Sequence, residues 1–235
     1  MKVITWNFHK GRHRRGRSMV DEAAAALLDR CPDLLLCQEV FHTSDDAHHQ
    51  SALLAAKLGL QASYGPNRWH FAGCLGNATM SRYPVLASAN FEITHSYFER
   101  RGILYTRIDV GGYPLDVYNT HFSLTTRQRR KQLAVLLAIL PPESHGPIVL
   151  AGDFNDWTGS LDRIIRKNRH FERALGLLPA LRDRATFPAR RPLVSLDRIY
   201  CRACRVLDVR VLRGAPWNRL SDHLPIEAEI IPGLG

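Results

Sequence analysis

The stretch Ile148-Val149-Leu150-Ala151-Gly152-Asp153-Phe154-Asn155 passes within eight residues from a purely apolar run to a polar cluster. The apolar half has the length and composition of a buried strand, and the polar half begins where that strand stops. Five other stretches repeat the pattern: Thr5-Trp6-Asn7, Gln38-Glu39, Asn119-Thr120-His121, Leu196-Asp197-Arg198 and Ser221-Asp222-His223. Each is expected at a strand end. Apolar strands that each deliver a carboxylate, amide or imidazole to one rim predict an active site rather than a core. Hard oxygen donors and two histidines, with no cysteine among them, suit Mg2+-assisted attack on a phosphate ester.

Working outward, Val3–Phe8 and Asp33–Val40 read as buried strands. Ser18–Arg30 reads as a helix with Asp21 and Glu22 in its first turn, where the helix dipole favours acids. Ser44–Leu58 reads as a second helix, stopped by Gly59. From Trp69 to Phe122, strand candidates alternate with turn signals at Gly73, Gly76-Asn77, Tyr83-Pro84, Gly111-Gly112 and Pro114. Leu124–Leu140 places Leu133, Leu136, Leu137 and Leu140 at helical spacing and ends at Pro141-Pro142. A polar stretch, Thr158–Leu178, with one or two short helices follows, and strand candidates at Asp197–Cys201, Arg205–Leu212 and Leu224–Ile230 close the chain. This order predicts an α/β (α+β) protein with two sheets packed face to face and helices outside, since each element must bury an apolar face. No low-complexity linker or composition break interrupts the 235 residues, which suffice for one sizeable core; a single domain over residues 1–235 is expected.

The composition, 45% hydrophobic and 23% charged, is that of an ordinary globular protein. No apolar run approaches the ~20 residues of a membrane helix. The opening MKVITWNF enters a strand without an apolar leader, so a cytoplasmic protein is expected. Five cysteines, an odd number, fit reduced thiols. Cys201 and Cys204 form a C-x-x-C within the strand-like stretch Asp197–Val211, without the second pair of a zinc site, and read as structural. The net charge of +10 comes almost entirely from arginine and attracts polyanions, either nucleic acid or an anionic membrane surface. It concentrates in Arg12-His13-Arg14-Arg15-Gly16-Arg17 and in Arg127-Gln128-Arg129-Arg130-Lys131, both predicted near the polar rim and so suited to recruiting phosphate. No obligate protein partner is indicated.

Asp153 and Asn155 are two apart, so in an extended segment they share one face. The carboxylate would take a proton from an attacking water while the amide N–H donates to the developing negative charge. Asn119 and His121 repeat this spacing. Glu39 closes an apolar run, where a carboxylate is costly unless paired or metal-bound. It is the leading metal ligand, with Asn7 beside it if the first two strands are adjacent. Asp222 and His223 point apart in an extended chain, so a turn is needed to bring both to one site. His223 would contact or protonate a phosphoryl oxygen, with Asp197 accepting its other ring N–H. His42, His48, His49, His70 and His170 read as structural. Taken alone, a motif such as Gly152–Asn155 is equally an Asx-rich turn; six together favour chemistry.

Taken in order, TWN, QEV, GNATMSRYP, YNTHFSL, GDFN, TFPARRPLVSLDRIY and SDHLP resemble the endonuclease/exonuclease/phosphatase superfamily. This Mg2+-dependent group includes deoxyribonuclease I and the abasic-site endonucleases, and the likeness covers nearly the whole chain. It implies a four-layered α/β/β/α sandwich with the site at one edge of two mixed sheets, and Mg2+ as cofactor with Mn2+ as substitute. Carried over, Asn7 and Glu39 match metal-site positions, and Asp222 matches a metal-associated or water-positioning carboxylate of the catalytic set. Asp153 matches the residue that activates water, and Asn7, His121, Asn155 and His223 match phosphate contacts. Asp197 matches the carboxylate partner of His223. His121 stands where abasic-site endonucleases usually bring a tyrosine, and where deoxyribonuclease I, sphingomyelinases and inositol-phosphate phosphatases bring a histidine. The expected activity is phosphodiester hydrolysis, foremost of nucleic acid. The alternative substrates are phospholipid headgroups, inositol phosphates or other small phosphoesters. A catalytically silent binding module on the same fold is the remaining alternative.

Overall fold

The computed structural model of the protein describes residues 1–11, 18–43, 49–96, 99–141, 146–169, 171–178 and 180–233. The chain opens with β1 (Lys2–Asn7), α1 (Val20–Leu28), β2 (Leu34–Thr43) and α2 (Gln50–Leu58). Five strands follow: β3 (Gln61–His70), β4 (Gly73–Ser81), β5 (Val85–Glu92), β6 (Gly102–Val110) and β7 (Tyr113–His121). Then come α3 (Thr126–Ile139), β8 (Ile148–Asp153), α4 (Ser160–Arg169), β9 (Glu172–Arg173), β10 (Asp197–Arg202), β11 (Cys204–Val211), α5 (Trp217–Leu220) and β12 (Ile226–Pro232).

Two six-stranded mixed sheets result, one ordered β11-β12-β1-β2-β4-β3 and the other β5-β6-β7-β8-β10-β9. Among the described residues the parallel strand pairs are β1 with β2 and β7 with β8. Strands β1, β2 and β8 are buried along almost their whole length, which is why they read as continuous apolar runs rather than alternating ones. One core cluster joins the inner faces of the sheets to the layer beneath α1 and α2, through Trp6, Leu35, Met80, Val117 and Val149. A second, including Phe122, Leu136, Phe154, Ile165 and Tyr200, lies between the second sheet and α3 and α4. The architecture is therefore helices, sheet, sheet, helices.

Polar side chains also tie the sheets together. Asn119 on β7 reaches across to donate to the Cys37 carbonyl at 3.1 Å and the Ala78 carbonyl at 2.9 Å, and its Oδ1 accepts from Gln38 Nε2 at 2.8 Å. Asn77 on β4 donates in the opposite direction, to the Gly102 and Asn119 carbonyls at 2.9 and 3.2 Å. All three side chains are essentially inaccessible to solvent.

Several local expectations need correction. Glu39 lies in a β-bulge within β2, between Cys37 and Val40, rather than at a strand end; its φ of 54° is the local kink that such a bulge imposes. Asp197 begins β10 instead of ending a strand. Because β10 runs antiparallel to β8, its first residue is paired with Asp153, the last of β8. Cys201 and Cys204 do not share a strand: they flank the bend at Ala203 (φ 49°) that joins β10 to β11. Arg129 is buried inside the turn before α3, where it donates to the Ser123 and Leu124 carbonyls and to Thr126 Oγ1, so it staples a loop and is closed to phosphate. Residues 12–17, 48 and 170 lie outside the described residues.

Replacing Asn119 with alanine would take the side-chain donor from two buried carbonyls and remove one of the three acceptors of the Gln38 amide. Unsatisfied buried polar groups cost about 1–3 kcal/mol each, so Asn119→Ala should lower unfolding free energy by roughly 3 kcal/mol or more. Urea unfolding followed by circular dichroism measures this; a loss below about 1 kcal/mol would show that the clasp does not hold the sheets together.

Candidate functional site

The clasp lies just below the point where β1, β7 and β8 end, level with the bulge in β2, and there the chemistry gathers. The parallel registers place Asn7 beside Gln38 and His121 beside Asp153. The second pairing requires β7 and β8 to run unusually close. Gly152 permits it: its φ is +140°, and a Cβ there would lie 1.9 Å from the Thr120 carbonyl oxygen. A side chain at this position would force Asp153 away from His121.

Asp153 is the hub. It is 1% exposed. Its Oδ1 accepts the Asn155 backbone N–H at 2.9 Å and its Oδ2 accepts from Asn7 Nδ2 at 3.1 Å across the two sheets. Oδ2 also lies 3.4 Å from His121 Nε2 and 3.8 Å from His223 Nε2. Burial raises the Asp153 carboxyl above its ordinary range and the Asp197 charge adds to this, against the opposing pull of His223 and the Asn155 and Asn7 donors. Asn155 reaches this place by a turn, with φ 47°, and not by strand alternation, because β8 stops at Asp153. One of its amide N–H groups is held by the Phe122 carbonyl at 2.8 Å.

The two histidines are driven apart in charge. Desolvation, aided by the Arg101 and His223 charges, holds His121 well below the usual imidazole range, so it is neutral. Burial also acts against charging His223, but the Asp197 and Asp153 carboxylates outweigh it and lift His223 to about 10. His223 Nδ1–H donates to Asp197 Oδ2 at 2.9 Å, and the same oxygen accepts the Thr186 hydroxyl at 2.6 Å. Ligand atoms of Asp153, Asp197 and His223 all lie within 4.8 Å of one another.

Asp222 does not join this buried cluster. The segment before β12 turns, as the opposite facing of neighbouring residues requires, and sends His223 inward while Asp222 stays 42% exposed. Asp222 Oδ1 is 2.6 Å from His9 Nδ1, and the His9 backbone N–H donates to Asn7 Oδ1 at 3.1 Å. Burial would raise the Asp222 carboxyl, but the His9 hydrogen bond and the His223 and His9 charges leave it lowered. The His9 imidazole is raised, chiefly by that hydrogen bond and then by the Asp222 and Glu39 charges, against desolvation. Asp222 and Asn7 Oδ1 thus flank His9, on which the Glu39 charge also acts, and oxygen donors of this kind are those a hard divalent cation such as Mg2+ takes.

Some of these participants carry no sequence signal of their own. His9 and Lys10 sit at φ 43° and 62°, unfavourable for non-glycine residues and common at functional sites. Thr186 is eleven residues from Asp197 and reads locally as a loop residue. Arg101 shows only as one of a pair of arginines before β6. Asn119, by contrast, belongs to the clasp and not to the site. Of the other histidines, His42 is stacked between His49 and Tyr64, with ring centroids 4.0 and 3.4 Å away, and bonds to Ser51 Oγ at 2.6 Å.

The chain as a whole has counterparts among known proteins. A family model described as the endonuclease/exonuclease/phosphatase family matches residues 4–223. The uncharacterised protein YbhP of Escherichia coli strain K12 is 32% identical over 248 aligned positions, covering 97% of this chain and 95% of YbhP. Among solved structures, an endonuclease/exonuclease/phosphatase from Beutenbergia cavernae superposes with a TM-score of 0.85 at 22% identity, over 99% of this chain and 72% of that one. TDP2 from D. rerio, solved with a single-strand DNA product, superposes with a TM-score of 0.77 at 17% identity, over 98% of each chain. These two likenesses concern the fold.

The raised affinity of His223 for its proton makes stability depend on pH. The folded chain holds this proton up to about pH 10, whereas an ordinary imidazole releases it near 6.5. The contribution is therefore complete below about pH 6.5 and is lost as the pH rises toward about 10. His223→Gln should flatten the stability profile across that window, with a smaller change at lower pH because Asp153 and Asp222 lose the His223 charge. Urea unfolding of both proteins at several pH values tests this; parallel profiles would show that no charged His223–Asp197 pair forms.

Proposed function

The chain belongs to the endonuclease/exonuclease/phosphatase family, and from that premise we propose that it hydrolyses phosphodiester bonds, those of nucleic acid first, with Mg2+ as cofactor. The observation that carries this reading is the Asp153 carboxylate, buried between a neutral and a protonated histidine and fixed by Asn7 and the Asn155 backbone. A carboxylate whose basicity is raised by burial is suited to take a proton from water near neutral pH. Asp153 would orient the attacking water and accept that proton. His223, held in one tautomer by Asp197 and Thr186, would present Nε2–H to a phosphoryl oxygen as negative charge develops. His121 and the remaining amide N–H of Asn155 would hold the phosphate in line. Glu39, Asn7 and Asp222 would hold the Mg2+, which when bound supplies Lewis-acid neutralisation of phosphate charge, and Mn2+ would substitute.

Support for nucleic acid as substrate comes from the net charge of +10 and from the likeness to TDP2, a protein solved with single-strand DNA. Among the described residues no helix is long and apolar enough to cross a membrane, and all five cysteines are free thiols. Free thiols fit a reducing compartment, and the cytoplasm is proposed on that ground. One observation favours a second substrate class. At the turn joining β3 to β4, Trp69 and Phe71 are 73% and 107% exposed, beside the exposed Arg68. An aromatic tip with an adjacent cation suits an anionic membrane surface, where the same chemistry would act on lipid headgroups or inositol phosphates.

Nicking of supercoiled plasmid with and without Mg2+ tests the first reading. Wild type should nick only with the metal. Asp153→Asn and His223→Ala should lower turnover by about 10² or more, and Glu39→Ala should raise the Mg2+ concentration required. Near-normal rates in all three variants would overturn the site assignment. Intact plasmid, single-stranded DNA and RNA after many enzyme equivalents would overturn the nucleic-acid reading, and salt-sensitive sedimentation with anionic vesicles plus headgroup release would then support the second.

A further inference from the structure

A cavity of about 450 Å3 opens beside the reactive cluster, sharing His121 and Glu39 with it. The rest of its wall brings cations from three separate parts of the chain. Lys10 comes from the loop after β1, Arg68 from the bulged end of β3, and Arg100 and Arg101 from the segment entering β6. Arg68 is paired in register with Leu75, another lining residue, so it stands on the face of the sheet that forms the cavity.

The charges are poorly balanced from within. Neither the Lys10 ammonium nor the Arg68 guanidinium has an ion-pair partner among the described residues. Arg100 has only a long contact, 3.7 Å, to the well-exposed Glu92. Arg101 is bound to Glu99 at 2.8 Å, but its Nε is buried without a hydrogen-bond partner. The Glu99 carboxylate also accepts the Leu124 N–H at 3.1 Å, which leaves it little capacity to neutralise the other cations. Like charges brought together in a concavity repel and raise the local potential, and guanidinium groups match phosphate geometry well. Asp153, Asp197 and His223 do not line this cavity, so it adjoins the Asp153 cluster and does not contain it.

We infer that the Arg68–Arg100–Arg101 cavity is a second-phosphate subsite, selecting substrates that carry another phosphate group next to the one being cleaved. The inference rests on the phosphodiesterase reading for its link to cleavage, but the binding itself does not require turnover. Two sources supply such a ligand, the neighbouring phosphate of an oligonucleotide and the second phosphate of an inositol headgroup.

Calorimetric titration without divalent metal tests this. The probes are a thymidine dinucleotide with and without a 5′-phosphate, and inositol bisphosphate beside inositol monophosphate. For wild type the added phosphate should strengthen binding about tenfold or more, falling steeply with salt. The double variant Arg68→Gln/Arg100→Gln should lose that advantage. The double variant Arg163→Gln/Arg205→Gln removes equal charge from exposed positions on α4 and β11 outside the cavity and should keep it. A preference confined to the dinucleotide pair assigns the subsite to nucleic acid, and one confined to the inositol pair assigns it to headgroups. No advantage in either pair, or an advantage that survives Arg68→Gln/Arg100→Gln, overturns the inference. A retained binding advantage with no Mg2+-dependent turnover would overturn the hydrolase reading and leave the subsite standing.

Discussion

Everything at the functional end of this molecule depends on two sheets being locked at one register by buried amides. Hydrophobic contact between sheets is non-directional and tolerates sliding, whereas hydrogen bonds between buried groups do not. Asn119 binds carbonyls of both β2 and β4, Gln38 binds Asn119, and Asn77 binds back to β6 and β7. Any slip of one sheet against the other would strand several of these at once, in a region where an unpaired polar group is most costly. The Asn7–Asp153 contact at 3.1 Å, which joins the first sheet to the second at the site, is a consequence of that lock.

Above the clasp, one residue type is used in two opposite ways. His121 and His223 lie on either side of the same carboxylate oxygen, yet one is held neutral and the other charged. The cause is what stands behind each ring. Behind His223 is Asp197, itself anchored by Thr186; His121 has no such carboxylate behind it and is held neutral chiefly by desolvation, with the Arg101 cation adding to it. Titratable groups whose surroundings push them apart are how acid and base roles are divided within one site. Here the division is set by residues one step removed from Asp153 and not by the histidines themselves.

This explains what the sequence could and could not reveal. The apolar-to-polar transitions at Asn7 and Asp153 were legible because β1 and β8 are buried strands written mainly in apolar residues, and His121 was legible from the polar cluster Asn119-Thr120-His121 that closes β7. The two-sheet, helix-flanked arrangement was legible from the order of such runs. Positions made by backbone irregularity were not: Glu39 depends on a bulge, Asn155 on a left-handed turn, and His9 on strained φ, none of which follows from periodicity. Arg129 was misleading for a related reason. A basic run at a helix start reads as a charged surface, and only the tertiary path of residues 123–126 shows that one of those guanidiniums is needed inside. Thr186 was invisible because its partner lies across a loop closed by a bridge between Phe187 and Val194.

The site therefore has two electrical regimes side by side. In the buried cluster around Asp153, water is scarce and interactions among few charges are strong, because little solvent screens them. In the cavity lined by Arg68 and Arg100 the cations are exposed and salt screens them within roughly 10 Å at 0.1 M. On the proposed reading, the open region would recruit a polyanion and the closed region would act on it. With His121 and Glu39 on the cavity wall, a phosphate held by the arginines would sit beside one held at Asp153, the first in mobile, screened contacts and the second in fixed, desolvated ones. Preorganised dipoles and charges at that end do not have to reorganise during reaction, and it is the sheet-to-sheet clasp beneath them that keeps them in place.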